Sequence, residues 1–353
     1  MEARELIAAE RAMVEGKIGE FFDHESRLCL EDPLARELLD ALREYTMRGG
    51  KRVRAVMLVL GYLAVGGRDM ERARKAAVSM ELVQDMLLIH DDLMDRSPER
   101  RGGRSLHEHF RAVHRERGYR GDPERFGYNM ALIGGDLAES MAEKALLASG
   151  FPSRNLVKAM SLQADMVRDT GYGQVLDLCS MELPEWSEDQ VLKVHHYKTA
   201  RYTFEGPLLI GAILHGAPQR ALGALSGFAV PIGIAFQLID DIIGLFGDPK
   251  KGGASDISDI REGKRTLLVI DALKKVSEAD ASMVLNGLGD PDLTLADAAR
   301  IREIVVASGA VERSRALASE LTERGDSSLD GSGLDPTVCE ALRVLADEML
   351  GRV

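Results

Sequence analysis

Cysteine is nearly missing from this chain: Cys29, Cys179 and Cys339 are the only ones in 353 residues, widely spaced and without pattern. Neither a disulfide framework nor a zinc site can be built on them. Aromatic residues are also scarce, at 5% with a single tryptophan. Positive charge is in deficit, with 45 Lys and Arg against 57 Asp and Glu, a net charge of −12 and a pI near 5.3. That balance argues against a nucleic-acid-binding surface. The opening stretch, "MEARELIAAERAMVEGK", lacks the apolar run of a signal peptide. The uncharged run Ala55–Gly67 is too short to span a bilayer and contains three glycines. A soluble, cytoplasmic protein without a transmembrane segment is therefore expected. Phosphate loop, dinucleotide fingerprint, Ser-His-Asp arrangement, fixed-period repeat and low-complexity linker are all absent as well.

What is present is helical periodicity. Arg72–Met94 carries apolar residues at Val78, Leu82, Met86, Ile89 and Leu93, the three- and four-residue spacing of a helix. Similar patterns predict helices over Leu34–Tyr45, Arg52–Ala64, Met130–Ala148, Asn155–Leu178, Asp189–His215 and Gln219–Phe246. Four more follow at Thr266–Val276, Leu295–Ser308, Ala310–Gly325 and Pro336–Leu350. Gly and Pro mark breaks at Arg117–Gly127, Ser149–Ser153 and Gly247–Asp256. Several middle helices lack a broad polar face, which places them inside a bundle. The expected fold is all-α, with residues 1–353 forming one helical bundle around a central apolar cavity.

Two acidic segments stand out, "DDLMD" at Asp91–Asp95 and "FQLIDDIIG" at Phe236–Gly244, each ending an apolar run. Asp91 and Asp95 are one turn apart and share a helix face. Carboxylates held so close repel unless a cation lies between them, and clustered hard oxygens suit Mg²⁺ completed by phosphate and water. The second segment offers Gln237, Asp240 and Asp241, with Gly244 where a third acid would stand one turn on; Asp248 reads as a loop carboxylate. Basic groups accompany them. Lys51 and Arg54 lie at a helix start in "GGKRVR", where backbone N–H groups also favour anions. Arg100 and Arg101 follow the first acidic segment, Lys198 and Thr199 sit in "HHYKTARYTF", and Lys264 lies in "DIREGK". In a net-acidic chain, such cations at loops and helix ends fit diphosphate clamps. The pairs His107/His109 and His195/His196 lack the i, i+4 spacing of a zinc helix. His90 reads as a packing or hydrogen-bonding residue.

Taken in order, "GGKRVR", "DDLMD" with "RRG", "GQVLDL", "KTA", "FQLIDD" and "DIREGK" resemble the trans-isoprenyl diphosphate synthases (polyprenyl synthetases), over nearly the whole chain from Arg48. The resemblance implies an isoprenoid-synthase bundle in which Asp91 and Asp95, supported by Asp92, bind two Mg²⁺ on an allylic diphosphate. Asp240, assisted by Asp241, would hold a third. Arg100, Lys198 and Lys264, with Gln237 nearby, would contact the allylic diphosphate. Lys51, Arg54, Arg101 and Gln84 would hold isopentenyl diphosphate, and Thr199 and Gln174 would lie near the developing cation. Two positions depart from the family pattern: Gly244 replaces a third aspartate, and Ala254 stands where another lysine is usual, with Lys250 or Lys251 as substitutes. The stretch Arg111–Tyr128 reads as an inserted surface excursion.

By the same resemblance, diphosphate leaves an allylic carbon, the double bond of isopentenyl diphosphate attacks, and proton loss gives a trans product five carbons longer. One isoprene unit of about 5 Å matches a helical turn of about 5.4 Å. The tail is therefore expected to run back from Asp91 past Leu87 and Met86 and then Val83. Short-chain members carry aromatic rings at one or both of the first two positions, whereas Leu87 and Met86 leave the pocket partly open. Geranylgeranyl diphosphate (C20) is the expected product, with farnesyl (C15) or geranylfarnesyl (C25) diphosphate as neighbours. The rivals are a class I terpene cyclase, which would not need "GGKRVR", and a non-catalytic subunit of a heteromeric synthase. Members of the family are usually homodimers.

Overall fold

The computed structural model describes residues 2–29, 32–183, 185–246 and 257–351. Ala254, Asp248, Lys250 and Lys251 lie outside them. In chain order the elements are α1 (Ala3–Leu28), α2 (Pro33–Met47), α3 (Val53–Ala64), α4 (Met70–Met94), β1 (Glu99–Arg100), β2 (Gly103–Arg104), α5 (Leu106–Glu116) and α6 (Pro123–Leu147). They continue with α7 (Ser153–Glu182), α8 (Glu188–Val194), a π-helix (His195–Glu205), α9 (Gly206–His215) and α10 (Gln219–Phe246). The remainder are α11 (Ser258–Arg261), α12 (Leu267–Leu273), α13 (Glu278–Gly287), α14 (Leu295–Ala307), α15 (Ala310–Leu329) and α16 (Pro336–Leu350). The fold is all-α, as the periodicity predicts; among the described residues the two short strands form one hairpin.

Two compact units divide these elements. The first comprises Met1–Leu162, Pro207–Ala217 and Asp335–Leu342. Here α3 is buried nearly all round, because Gly61 meets the backbone of Leu208 and Gly211 meets that of Leu58. A Cβ at either glycine would overlap a carbonyl, so α3 and α9 cross at backbone contact. The helix α4 packs on α6, α3 and α1 and buries Val78, Leu82, Val83, Met86 and Ile89. Local chemistry sets the ends: Asp32 caps α2 with Pro33 behind it, and Asp122 does the same for α6 with Pro123.

The second unit comprises Gln163–Gly206, Pro218–Leu334 and Arg343–Val353. Its centre is α10, packed on α15 and on the π-helix. Ala235 and Leu238 of α10 join Leu267, Ile270, Ala318 and Leu321 in one apolar cluster. By length and composition α10 could cross a membrane. Its burial against α15 and the π-helix accounts for the same composition as that of a core helix.

Three sequence expectations need correction. The charged N-terminal segment, read only as lacking a leader, is a 26-residue helix whose Ile7, Val14, Ile18 and Phe22 are buried. Its apolar stripe is narrow and interrupted by acids, so the periodicity is weak. Arg111–Tyr128 is more than a surface excursion: although mostly exposed, it spans the end of α5 and the start of α6, with His114 buried and Gly127 against the His107 carbonyl. Asp189–His215 is not one helix but α8, a π-helix and α9 in succession.

Candidate active site

In the first unit the acidic end of α4 divides its aspartates. Asp91 and Asp95 are half-buried, whereas Asp92 is completely buried. Asp92 Oδ1 accepts from Arg100 Nε at 2.9 Å and Nη2 at 2.5 Å, and Oδ2 accepts from the Tyr45 hydroxyl at 3.0 Å. Burial raises the Asp92 carboxyl above its usual range, while Arg100 and Tyr45 oppose the shift. Tyr45 is pushed in the same direction, by burial first and then by Asp92 and Asp85.

The hairpin that carries Arg100 follows from its glycines. Glu99 pairs with Arg104 and Arg100 with Gly103, leaving Arg101 and Gly102 as a two-residue turn with φ of 52° and 73°. Both central residues are left-handed, the geometry that matches strand twist in tight hairpins. Arg48, at the end of α2, braces the turn by donating from Nη1 to the Arg104 carbonyl at 2.6 Å and to that of Arg100 at 3.3 Å. Gly103 leaves room for this brace, since a Cβ would push the Arg48 guanidinium aside.

The "GGKRVR" loop runs through left-handed backbone at Gly49 and Arg52, and α3 begins at Val53. Lys51 is exposed and Arg54 half-buried at that helix start, as the sequence predicts. Arg52 serves a different purpose. It is buried and bonded to Glu15, to Glu81 and to the Thr46 carbonyl, so it anchors the loop between α1 and α4. Gln84 and Leu87 are half-buried on α4, while Val83 and Met86 are buried. His90 reaches the Leu132 carbonyl at 3.3 Å across Gly135, which leaves room for its ring.

In the second unit the π-helix presents Lys198 and Thr199. Glycines on two neighbours let it approach: Gly173 of α7 meets the Lys198 backbone, and Gly233 of α10 meets Ala200. π-Helical turns are uncommon and concentrate at functional sites. Lys198 Nζ donates to Asp177 at 2.5 Å, and the Thr199 hydroxyl donates to Gln237 Oε1 at 2.7 Å. Gln237 Nε2 in turn donates to Asp241 Oδ1 at 2.9 Å and reaches Asp240 at 3.5 Å. His195 Nε2 lies 3.1 Å from the other Asp241 oxygen and carries the proton when that carboxylate is ionised.

Asp240 is exposed on its outer side. Packing on its inner side, followed by repulsion from Asp241 and Asp259, pushes its carboxyl up to about 6. Lys264 donates to Asp259 at 2.9 Å and pairs with Glu262 at 2.7 Å. Burial opposes its charge, but the two carboxylates outweigh burial and hold it protonated. Asp259 also explains Gly244: a side chain there would overlap the Asp259 carboxylate.

Sequence reasoning missed Tyr45, Arg48, Asp85, Asp177 and Asp259. Asp177 and Asp259 lie inside the quoted stretches "GQVLDL" and "DIREGK", so a signal existed for them; a buried tyrosine on α2 offers none. No group of three or more His, Cys, Asp or Glu side chains among the described residues is already arranged around a cation. The donor set is nevertheless all oxygen and partly unscreened. It fits a hard ion whose shell is completed by water and phosphate rather than by a dedicated protein cage.

Known proteins share this arrangement of elements. The polyprenyl synthetase family pattern matches residues 35–305. A geranylgeranyl diphosphate synthase of Saccharolobus solfataricus is 32% identical over 259 residues, 73% of each chain. A geranylfarnesyl diphosphate synthase of Aeropyrum pernix is 30% identical over 310 residues, 86% of this chain and 91% of its own. Among solved structures, a geranylgeranyl pyrophosphate synthase from Corynebacterium glutamicum, complexed with isoprenyl diphosphate and magnesium, superposes with a TM-score of 0.92 at 34% identity. That match covers 98% of this chain and 99% of the other. The chain belongs to the polyprenyl synthetase family and is a prenyltransferase.

Proposed function

We propose that this enzyme is a trans-prenyltransferase that condenses isopentenyl diphosphate with an allylic diphosphate and releases mainly geranylgeranyl diphosphate. The observation that carries the reading is the pairing, in a family member, of two acidic helix ends with separate sets of basic side chains. Two diphosphates need two cationic grips, and only one of them must be driven off as a leaving group.

Asp91 and Asp95 with Asp92 in support, and Asp240 with Asp241, would hold Mg²⁺, three ions by the resemblance. Bound there, Mg²⁺ supplies charge stabilisation for departing diphosphate. Arg100, Lys198 and Lys264 grip the allylic diphosphate, and Gln237 orients it. Lys51, Arg54, Arg101 and Gln84 hold isopentenyl diphosphate in reach. The allylic C–O bond breaks, and its electron pair leaves with diphosphate. The isopentenyl double bond then attacks the allylic carbon, and a proton is lost to the released diphosphate. Thr199 and Gln174 face the developing positive charge. Support comes from the Thr199–Gln237–Asp241 hydrogen-bond chain, which ties cation, anion and metal residues into one network.

Product length rests on Val83, Met86 and Leu87, none of which is aromatic. Labelled isopentenyl diphosphate, given with dimethylallyl, geranyl or farnesyl diphosphate in Mg²⁺, should yield a C20 alcohol after dephosphorylation. A sharp C10 or C15 end point refutes that length; turnover without isopentenyl diphosphate would point to a cyclase instead, and no turnover to a non-catalytic subunit. Met86→Phe should shift the main product toward C15, and an unchanged product profile would show that the tail does not follow α4.

The whole chain acts as one synthase domain in this reading, in the cytoplasm and as a homodimer. Tyr128, Leu132 and Ile133 of α6 are 41–54% exposed and offer an apolar patch for a second copy. Light scattering of the purified chain tests the dimer.

A further inference from the structure

The polar face of α4 bears three buried carboxylates, Glu81, Asp85 and Asp92, each within 2% of complete burial. Each faces a different arginine. Glu81 meets Arg52 at 3.1 Å, Asp85 meets Arg101 at 3.7 Å, and Asp92 meets Arg100 at 2.5 Å. The outer two pairs are hydrogen-bonded; the Asp85–Arg101 pair is not. Asp85 Oδ2 and Arg101 Nη1 are both buried without a hydrogen-bond partner. Such groups are rare in folded proteins and call for an explanation.

Arg100 and Arg101 are adjacent in one hairpin, so the difference between them is informative. Arg100 is locked, with two donors on one oxygen of Asp92. Arg101 is steered by charge alone, and Asp85 is its ion-pair partner among the described residues. Its backbone is set by the left-handed turn, and its guanidinium lies over Gly50, next to Lys51. A locked arginine has committed two of its five donors to protein and holds one geometry, whereas a steered one keeps its donors for a ligand. Burial pushes the Asp85 carboxyl up to about 7, against a hydrogen bond from Thr46 and the pull of Arg101. A carboxyl kept at that cost, on a helix face that otherwise anchors arginines, is there for the arginine.

We propose that Asp85 is a positioning residue for Arg101: its carboxylate directs the guanidinium toward isopentenyl diphosphate without consuming its hydrogen bonds. The inference rests on Arg101 holding that substrate. It separates the two hairpin arginines by role, Arg100 as a fixed grip on the allylic diphosphate and Arg101 as an adjustable grip on isopentenyl diphosphate.

The test uses the full-length enzyme at pH 8 with steady-state kinetics in both substrates. Asp85→Asn should raise KM for isopentenyl diphosphate about tenfold, leaving kcat and the allylic KM within about twofold. Arg101→Ala should raise the same KM further, and the double variant should match Arg101→Ala alone, because the two residues form one device. An unchanged KM in Asp85→Asn, a lowered one, or additive effects in the double variant would each overturn the positioning role. If Arg101→Ala itself leaves KM unchanged, the substrate assignment of Arg101 fails, not the pairing. Asp85→Asn keeps the side-chain volume, and circular dichroism checks its fold before kinetics. Should Asp85→Asn not fold, Asp85→Ser carries the same comparison.

Discussion

The acidic end of α4 and the acidic end of α10 solve one problem with different materials. Each carries adjacent aspartates after an apolar run, and each splits the pair between two tasks. In the first, Asp92 turns inward to Arg100 and Tyr45 while Asp91 remains half-buried. In the second, Asp241 turns inward to His195 and Gln237 while Asp240 remains exposed. The inward member braces the helix end, and the outward member is the one left accessible. The braces differ in strength. Arg100 carries a permanent charge, so the first end is pinned by an ion pair; the second is pinned by a histidine and an amide. The third acid also differs, since Asp95 comes from the same helix one turn on, whereas Gly244 leaves that space to Asp259 from α11.

The comparison can be broken most directly at the outward members. Asp91→Ala and Asp240→Ala should each lower kcat by about 10³ without lowering thermal stability, because each removes charge stabilisation and not packing. Initial-rate assays alongside melting curves measure both. If the inward variants proved equally inactive and equally stable, the division of labour would be wrong.

The inward members should instead cost stability. Asp92→Asn leaves Arg100 beside a neutral amide in a buried setting, an expected loss of about 3 kcal/mol. Asp241→Asn should lose only about 1 kcal/mol, since its partners are an imidazole and an amide and not a guanidinium. Urea denaturation of the two variants ranks the braces, and a reversed order would refute their assigned strengths.

The smallest expected change sharpens the third position. Restoring an acid with Gly244→Asp should lower turnover by about tenfold, because the new side chain displaces Asp259 and with it the contact to Lys264. Mn²⁺ binding followed by electron paramagnetic resonance, with diphosphate present, reads the same site without catalysis. Tighter Mn²⁺ binding in the variant would show that Gly244 is a loss and not an exchange.

Much of this architecture is legible in the chain. The periodicity over Arg72–Met94 and Leu34–Tyr45 matches α4 and α2 to within two residues at each end, because these helices have a wide apolar face and clear caps. The N-terminal helix was not legible, since its narrow stripe becomes apolar only against α3 and α4. The π-helix was also hidden: its close packing rests on Gly173 and Gly233, one before it and one after it in sequence. Lys51 and Arg54 were readable from their place before a helix. The anchoring role of Arg52 between them was not, because Glu15 and Glu81 lie 37 and 29 residues away.

The order of residues alone determined the helical class, the turn-spaced aspartates and the supply of cations, since each follows from local spacing along one backbone. Only the tertiary structure decided which aspartate of each pair faces inward, and that Asp259 fills the space beside Gly244. Those outcomes depend on buried partners from other helices, where the cost of an uncompensated charge selects a single arrangement.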